Sequence, residues 1–247
     1  MPDVEVFDFH FHGEDAGRVR EVLEGGEVAG IVCCSALSCP HEEFEERNRP
    51  LLELAAGAGR GRLFLLAVVH LSRPGWREHA AGWFDRHPAL VGVKLHPPNS
   101  GFRLVPELLD PLFDFVLERG LFVASHTVPL AGFSAADFFP SLKRRRETRL
   151  VIYHGSRHEE SAYLAASFPN VYVEPSWLGF FPPLFRMMSR LGGYGRLLAG
   201  TDGPGWFDRF PGSPYADLVE KARAMLPDEE TLAGFCCGNA RRFLGLD

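Results

Sequence analysis

The sequence is poor in the features that mark several protein classes. Cysteine is scarce, with 5 in 247 residues, and no two are spaced C-x-x-C. An odd count that includes the adjacent pairs Cys33–Cys34 and Cys236–Cys237 suits reduced, buried thiols and an intracellular, cytoplasmic chain, not a disulfide framework. No apolar run approaches the roughly 20 residues a membrane helix needs. Met1-Pro2 leads directly into a strand, so neither a signal peptide nor a membrane partner is expected. Positive charge is not in surplus: 26 basic against 32 acidic residues leave a net charge of −6, which argues against nucleic-acid binding through phosphate attraction. The one basic run, Lys143 to Arg146, reads as a solvated helix face. Linker-like, low-complexity and repeated stretches are also missing, so residues 1–247 are expected to form one domain.

What is present is ordinary globular composition, 46% hydrophobic and 23% charged, arranged in a regular alternation. Short apolar, β-branched runs occur at Val4–His12, Ala29–Ser35, Arg62–His70, Leu90–His96, Leu121–His126, Leu150–His154, Val171–Pro175 and Leu197–Thr201. Near-continuous apolar runs suit strands covered on both faces. Between them, Gly17–Glu24, His41–Ala56, Trp76–Arg86, Pro106–Arg119, Ala135–Arg145, Glu159–Phe168, Pro183–Leu191 and Pro214–Met225 have helical spacing, and Glu229–Leu246 suits a closing helix. Ser134, Ser161 and Pro106 are helix-start signals. Eight β/α units predict an α/β fold, a single (β/α)₈ TIM barrel. The alternative is an open doubly wound sheet, which expects a glycine-rich phosphate turn after its first strand. His12-Gly13-Glu14-Asp15 stands there instead.

The stretch VFDFHFHG, residues 6–13, places an acid and two histidines inside an apolar strand. Strand alternation puts Asp8, His10 and His12 on one face and Phe7, Phe9 and Phe11 on the other. Polar residues recur at other strand ends: His70, Lys94 with His96, His126, His154 and Asp202. In a barrel those ends meet at one mouth. Neutral imidazoles and a carboxylate suit zinc or a related first-row metal, with His10, His12 and His126 as ligands and Asp202 as ligand and general base.

These segments carry a family resemblance. FDFHFH, GVKLHP, VASHT, VIYHGS, AGTDGP and the tail GNARRFLGL make the chain similar, over nearly its whole length, to the amidohydrolase superfamily and its amidohydrolase-related branch. The resemblance implies a (β/α)₈ barrel with one or two divalent metals, zinc first and manganese second. It implies His10 and His12 as strand-one ligands, His126 as the strand-five ligand, and His154 as a second ligand or catalytic acid/base. Asp202 becomes the strand-eight catalytic aspartate, and Asn239 and Ala240 match a structural tail motif. Lys94 sits where dihydroorotases carry a carboxylated, metal-bridging lysine; one-metal relatives keep an ammonium there, and both forms stay open.

Arg157, His96 and Trp177 are candidates for substrate binding, and His70 for lining the pocket. Glu174 and Ser176 either face the pocket or order its loop. Trp177, Phe180, Phe181, Trp206 and Phe207 suit an apolar wall or a protein contact. The resemblance implies hydrolysis of a small amide, lactone or ester by metal-activated water. The alternative is a non-oxidative decarboxylase of a carboxylated aromatic or unsaturated acid; a non-catalytic binding barrel ranks last. The partner expected is a small-molecule substrate; several loops look short, which suits either a shallow mouth or one completed by a second subunit in a homodimer.

Overall fold

The computed structural model describes residues 4–37, 39–155, 157–176, 182–191, 193–205, 207 and 212–246. Seven strands, β1 (Val6–His12), β2 (Val28–Cys34), β3 (Leu63–Val68), β4 (Leu90–Leu95), β5 (Phe122–His126), β6 (Leu150–Tyr153) and β7 (Val171–Glu174), form one parallel sheet in sequential order. A doubly wound sheet would reverse its order at a switch point, and this one does not. The helices are α1 (Ala16–Glu24), α2 (Phe44–Ala56), α3 (Trp76–Arg86), α4 (Pro97–Ser100), α5 (Pro106–Glu118), α6 (Phe139–Arg144), α7 (His158–Ser167), α8 (Pro182–Leu191), α9 (Pro214–Arg223), α10 (Glu229–Ala233) and α11 (Asn239–Leu244). Local signals explain several starts. Asp15 accepts from the backbone N–H groups of Gly17 and Arg18 at the head of α1, and Pro106 opens α5. Ser134 caps the short turn Ala135–Phe138 in a reciprocal box with Asp137. Ser161 does not open α7: the helix begins at His158, and Ser161 lies buried inside it. The expected last helix is three pieces, with a π-helical turn, Gly234–Gly238, between α10 and α11.

The two faces of the sheet bury different clusters. One packs Phe7, Phe9, Val32, Cys34, Leu66, Val68, Phe122, Ala124, Val151 and Tyr153 together, and Phe243 of α11 stands edge-on to Phe9 and Phe122. The other carries Val6, Phe11, Ile31, Cys33, Leu65, Val93, Val123 and Ile152 against the helices. Phe9 and Phe11 therefore lie on opposite faces. The cause is an extra residue in β1: Asp8 pairs with Ile31, but Phe11 already pairs with Cys33. The bulge breaks the expected alternation. His10 and His12 stay together, whereas Asp8 turns to α9 and accepts from Tyr215 Oη at 3.0 Å.

Among the described residues the expected eighth strand over 197–201 does not form as a regular ladder. The segment still lies between β7 and β1: Leu197 bridges Val173 and Gly203 bridges Phe11. Leu198 N donates to Val173 O at 3.0 Å, Phe9 N to Ala199 O at 2.8 Å, and Asp202 N to His10 O at 2.8 Å. Two residues interrupt the ladder. Asp202 is left-handed, at φ 57°, and Gly200 passes so close to Glu174 that a Cβ would meet its Oε1 at 2.5 Å. Asp8 pins the segment further, accepting from Thr201 N at 3.0 Å and Thr201 Oγ1 at 2.5 Å. Burial pushes the Asp8 carboxyl up to about 6, while its bonds from Thr201, His10 N and Tyr215 pull it down. Removing the phenol oxygen by Tyr215→Phe takes one donor from a buried acid, and is expected to cost about 1.5–3 kcal/mol. Urea unfolding measures this; an unchanged midpoint and slope would contradict the pinning role.

Candidate metal centre

The carboxyl-terminal strand ends bring three expected ligands to one point. His10, His12 and Asp202 each offer a donor atom within 4.8 Å of the other two. Asp202 Oδ1 lies 3.1 Å from His10 Nε2 and 2.9 Å from His12 Nε2. Two atoms bound to one zinc ion at about 2.0–2.2 Å stand about 3–3.5 Å apart in a tetrahedral arrangement. The spacing and the nitrogen-and-oxygen donor set fit such an ion.

Around this group the residues are dry. His10 is 1% exposed, and its ring stacks on Tyr153 at 3.8 Å. Its Nδ1 lies 2.7 Å from Glu174 Oε2, and Glu174 is fully buried. Lys94, one of only three lysines in the chain, is also fully buried. Its Nζ lies 3.2 Å from His10 Nε2 and 3.7 Å from the centroid of the Tyr153 ring. Burial pushes Lys94 down to about 8, opposed by the Cys34 sulfur and the Asp202 and Glu174 carboxylates. Burial and the Lys94 charge hold His10 well below the usual imidazole range. Burial, with Asp202 nearby, pushes Glu174 well above the usual carboxylate range.

His154 and His126 form a second pair beside the first. His154 Nε2 lies 2.8 Å from His126 Nδ1, and the His154 and His10 ring centroids are 5.0 Å apart. His126 is not in the three-residue group, and His96 stacks on it at 4.1 Å. Burial lowers His154 and His96 to about 4 each, Asp202 opposing in the first case and Lys94 assisting in the second. Burial and His154 depress His126 further. Among the described residues three non-glycines adopt left-handed backbone: His154, Arg157 and Asp202. Such residues cost about 1–3 kcal/mol each and cluster at functional sites. Two of the three are the residues expected to do chemistry.

The remaining candidates are placed elsewhere. Arg157 is exposed and bonded to Glu160 Oε1 at 2.8 Å and Pro129 O at 3.1 Å. His70 is buried beside His41, whose Nε2 accepts from the His70 backbone N–H at 3.2 Å. Phe207 is not a mouth residue: it is buried and edge-on to Phe11 and Tyr215. Trp177, Phe180, Phe181 and Trp206 lie outside the described residues. The sequence reading missed Cys34 and Tyr153. Cys34 Sγ lies 3.3 Å from His12 Nδ1, and the two residues are register partners across β1 and β2. The two shifts in this register cancel, so counting on from Val6 opposite Val28 would have paired His12 with Cys34.

The parallel α/β sheet, in sequential strand order, gathers at its strand ends a donor set that fits a metal ion. The amidohydrolase family model matches residues 38–246, and the chain belongs to that family. The match begins after β2, so the histidine pair of β1 lies outside it. No curated protein sequence matches the chain. Solved structures with similar folds include IDCase of Metarhizium anisopliae in apo form, at TM-score 0.74 and 14% identity over 99% of this chain and 98% of that one. An uncharacterized TIM-barrel protein from Bordetella bronchiseptica has TM-score 0.70 and 16% identity over 98% and 99%. A Burkholderia multivorans amidohydrolase with bound zinc has TM-score 0.64 and 16% identity over 98% and 99%.

Burial lowers His12, but the Cys34 sulfur and the Asp202 bond outweigh it and hold this imidazole up at about 10. His12 is thus protonated at neutral pH in spite of the Lys94 charge that opposes it, whereas His10 is neutral. A zinc ion must displace one proton, so its apparent affinity is expected to rise about tenfold per pH unit between about pH 6 and 7.5. Competition with a colorimetric chelator measures this slope, and a flat profile would contradict it.

Proposed function

We propose that the chain is a metal-dependent hydrolase of small amides, lactones or esters, with one zinc ion held by His10, His12 and Asp202. The observation that carries the reading is the convergence of those three side chains on one point. In support, a structure of similar fold binds zinc. The segment 197–203, bonded to β7 and β1, is read as the eighth stave of a closed barrel. Lys94 is read as an ammonium and not as a bridging carbamate, because the Tyr153 ring face beneath its Nζ suits a cation.

A bound zinc ion supplies Lewis acidity that polarises a carbonyl group. The protein's own groups do the rest. Asp202, 22% exposed, reaches both the ligand cluster and the mouth. It takes the proton of the attacking water and returns it to the leaving group. His154, held near 4 mainly by burial, is neutral at pH 7 and acts as a proton acceptor. Lys94 contributes a fixed positive charge that offsets the negative charge developing during attack.

A carbon–carbon lyase is the second reading. The solved structure at TM-score 0.74, IDCase, matches this chain over almost its full length. A panel of lactones, esters and carboxylated aromatics in heavy-oxygen water separates the two. Label in a product acid selects hydrolysis; carbon dioxide release without label selects the lyase. Asp202→Asn keeps an oxygen ligand, and asparagine tolerates left-handed backbone. It is expected to retain zinc and lose at least about a hundredfold in turnover. Wild-type turnover in this variant would remove Asp202 from the proposed role.

A further inference from the structure

The Lys94–His10 contact fixes more than distance. A lysine ammonium has only donors, so His10 Nε2, 3.2 Å from Lys94 Nζ, presents its lone pair to it, and Asp202 Oδ1, 3.1 Å from the same nitrogen, then meets a lone pair and not a proton. A neutral imidazole carries one proton, which then sits on Nδ1. That atom faces Glu174 Oε2 at 2.7 Å and donates to it where Glu174 is ionised. Two further donors converge on the same carboxylate. Ser176 N donates to Oε1 at 2.7 Å and Ser176 Oγ to Oε2 at 3.0 Å.

Ser176 extends the constraint to a second histidine. A hydroxyl has one proton, and Ser176 directs it to Glu174. The Ser176 Oγ lone pairs must then face His154 Nδ1, 3.2 Å away, and accept from it. His154 Nε2 is left as an acceptor, which the His126 Nδ1–H at 2.8 Å satisfies. Each donor in the chain points towards one buried carboxylate. The opposite arrangement, a Ser176 proton turned to His154, would set a hydroxyl lone pair against an ionised Glu174 Oε2 at 3.0 Å.

We infer that Glu174 is the positioning residue of this centre: it holds His10 directly, and His154 through Ser176, in the Nδ1–H form, so that both present Nε2 lone pairs. As a statement about metal affinity this rests on the proposed zinc site. As a statement about tautomers it does not. Burial and the Asp202 charge oppose the negative charge on Glu174, and the two Ser176 donors recover part of that cost. Such outer partners orient ligand rings, and their loss typically weakens metal binding about ten- to a hundredfold.

The test uses the full chain with histidine labelled in nitrogen-15, with and without zinc. Long-range proton–nitrogen spectra at pH 7 are expected to show the Nδ1–H pattern for His10 and His154 in both states. Ser176→Ala should move His154 alone to a mixed or Nε2–H pattern and leave zinc affinity within about threefold. Glu174→Gln should weaken zinc about ten- to a hundredfold with an unchanged circular dichroism spectrum. An Nε2–H signal for His154 in the wild-type chain, an unaltered His154 in Ser176→Ala, or wild-type zinc affinity in Glu174→Gln would each overturn the inference. A wild-type chain that takes up no zinc would instead sink the metal reading, and the tautomer pattern of the metal-free chain would still decide this one.

Discussion

Charge taken out of water is expensive, and this constraint orders the carboxyl-terminal end of the sheet. Lys94 and Glu174 are fully buried there, with His10 at 1% exposure. None of the three can hold its charge alone in such surroundings. They persist because donors and acceptors are matched atom to atom: an ammonium against an imidazole lone pair, an imidazole proton against a carboxylate, and a ring face under the ammonium. The matching leaves a few lone pairs aimed at one point, which is what a cation needs.

The fold spends regularity to make that arrangement. The bulge in β1 lets Phe9 pack with the inner cluster while His10 and His12 both reach the site. Asp8, turned to the other side, clamps Thr201 and so sets the neighbouring Asp202. Gly200 clears the space that Glu174 fills. Left-handed backbone at His154 and Asp202 aims their side chains where a continuing strand would not. Each irregularity serves the site, as expected of strain tolerated for function.

The strand pattern was legible because buried parallel strands are near-continuous apolar runs, and the polar residues at their ends stood out against them. Seven of the eight expected strands form. The eighth was hidden by Gly200 and Asp202, whose backbone geometry depends on Glu174 and Asp8, far away in the chain. The convergence of His10, His12 and Asp202 followed from strand ends alone. The role of Asp8 did not, because one extra residue in β1 reverses its face, and apolar periodicity does not reveal a bulge. Cys34 read as an inert thiol because apolar periodicity does not set the register of β1 against β2, and that register is what puts it against His12. Ser161 misled because a serine inside a helix and one at its start look alike in sequence.

The account stands on a cation meeting three particular atoms. Crystals grown with zinc and recorded on both sides of its absorption edge would locate the ion by anomalous scattering. The account predicts one strong peak within bonding distance of His10 Nε2, His12 Nε2 and Asp202 Oδ1. A peak bonded to other residues, or none at this mouth in zinc-saturated crystals, would contradict it.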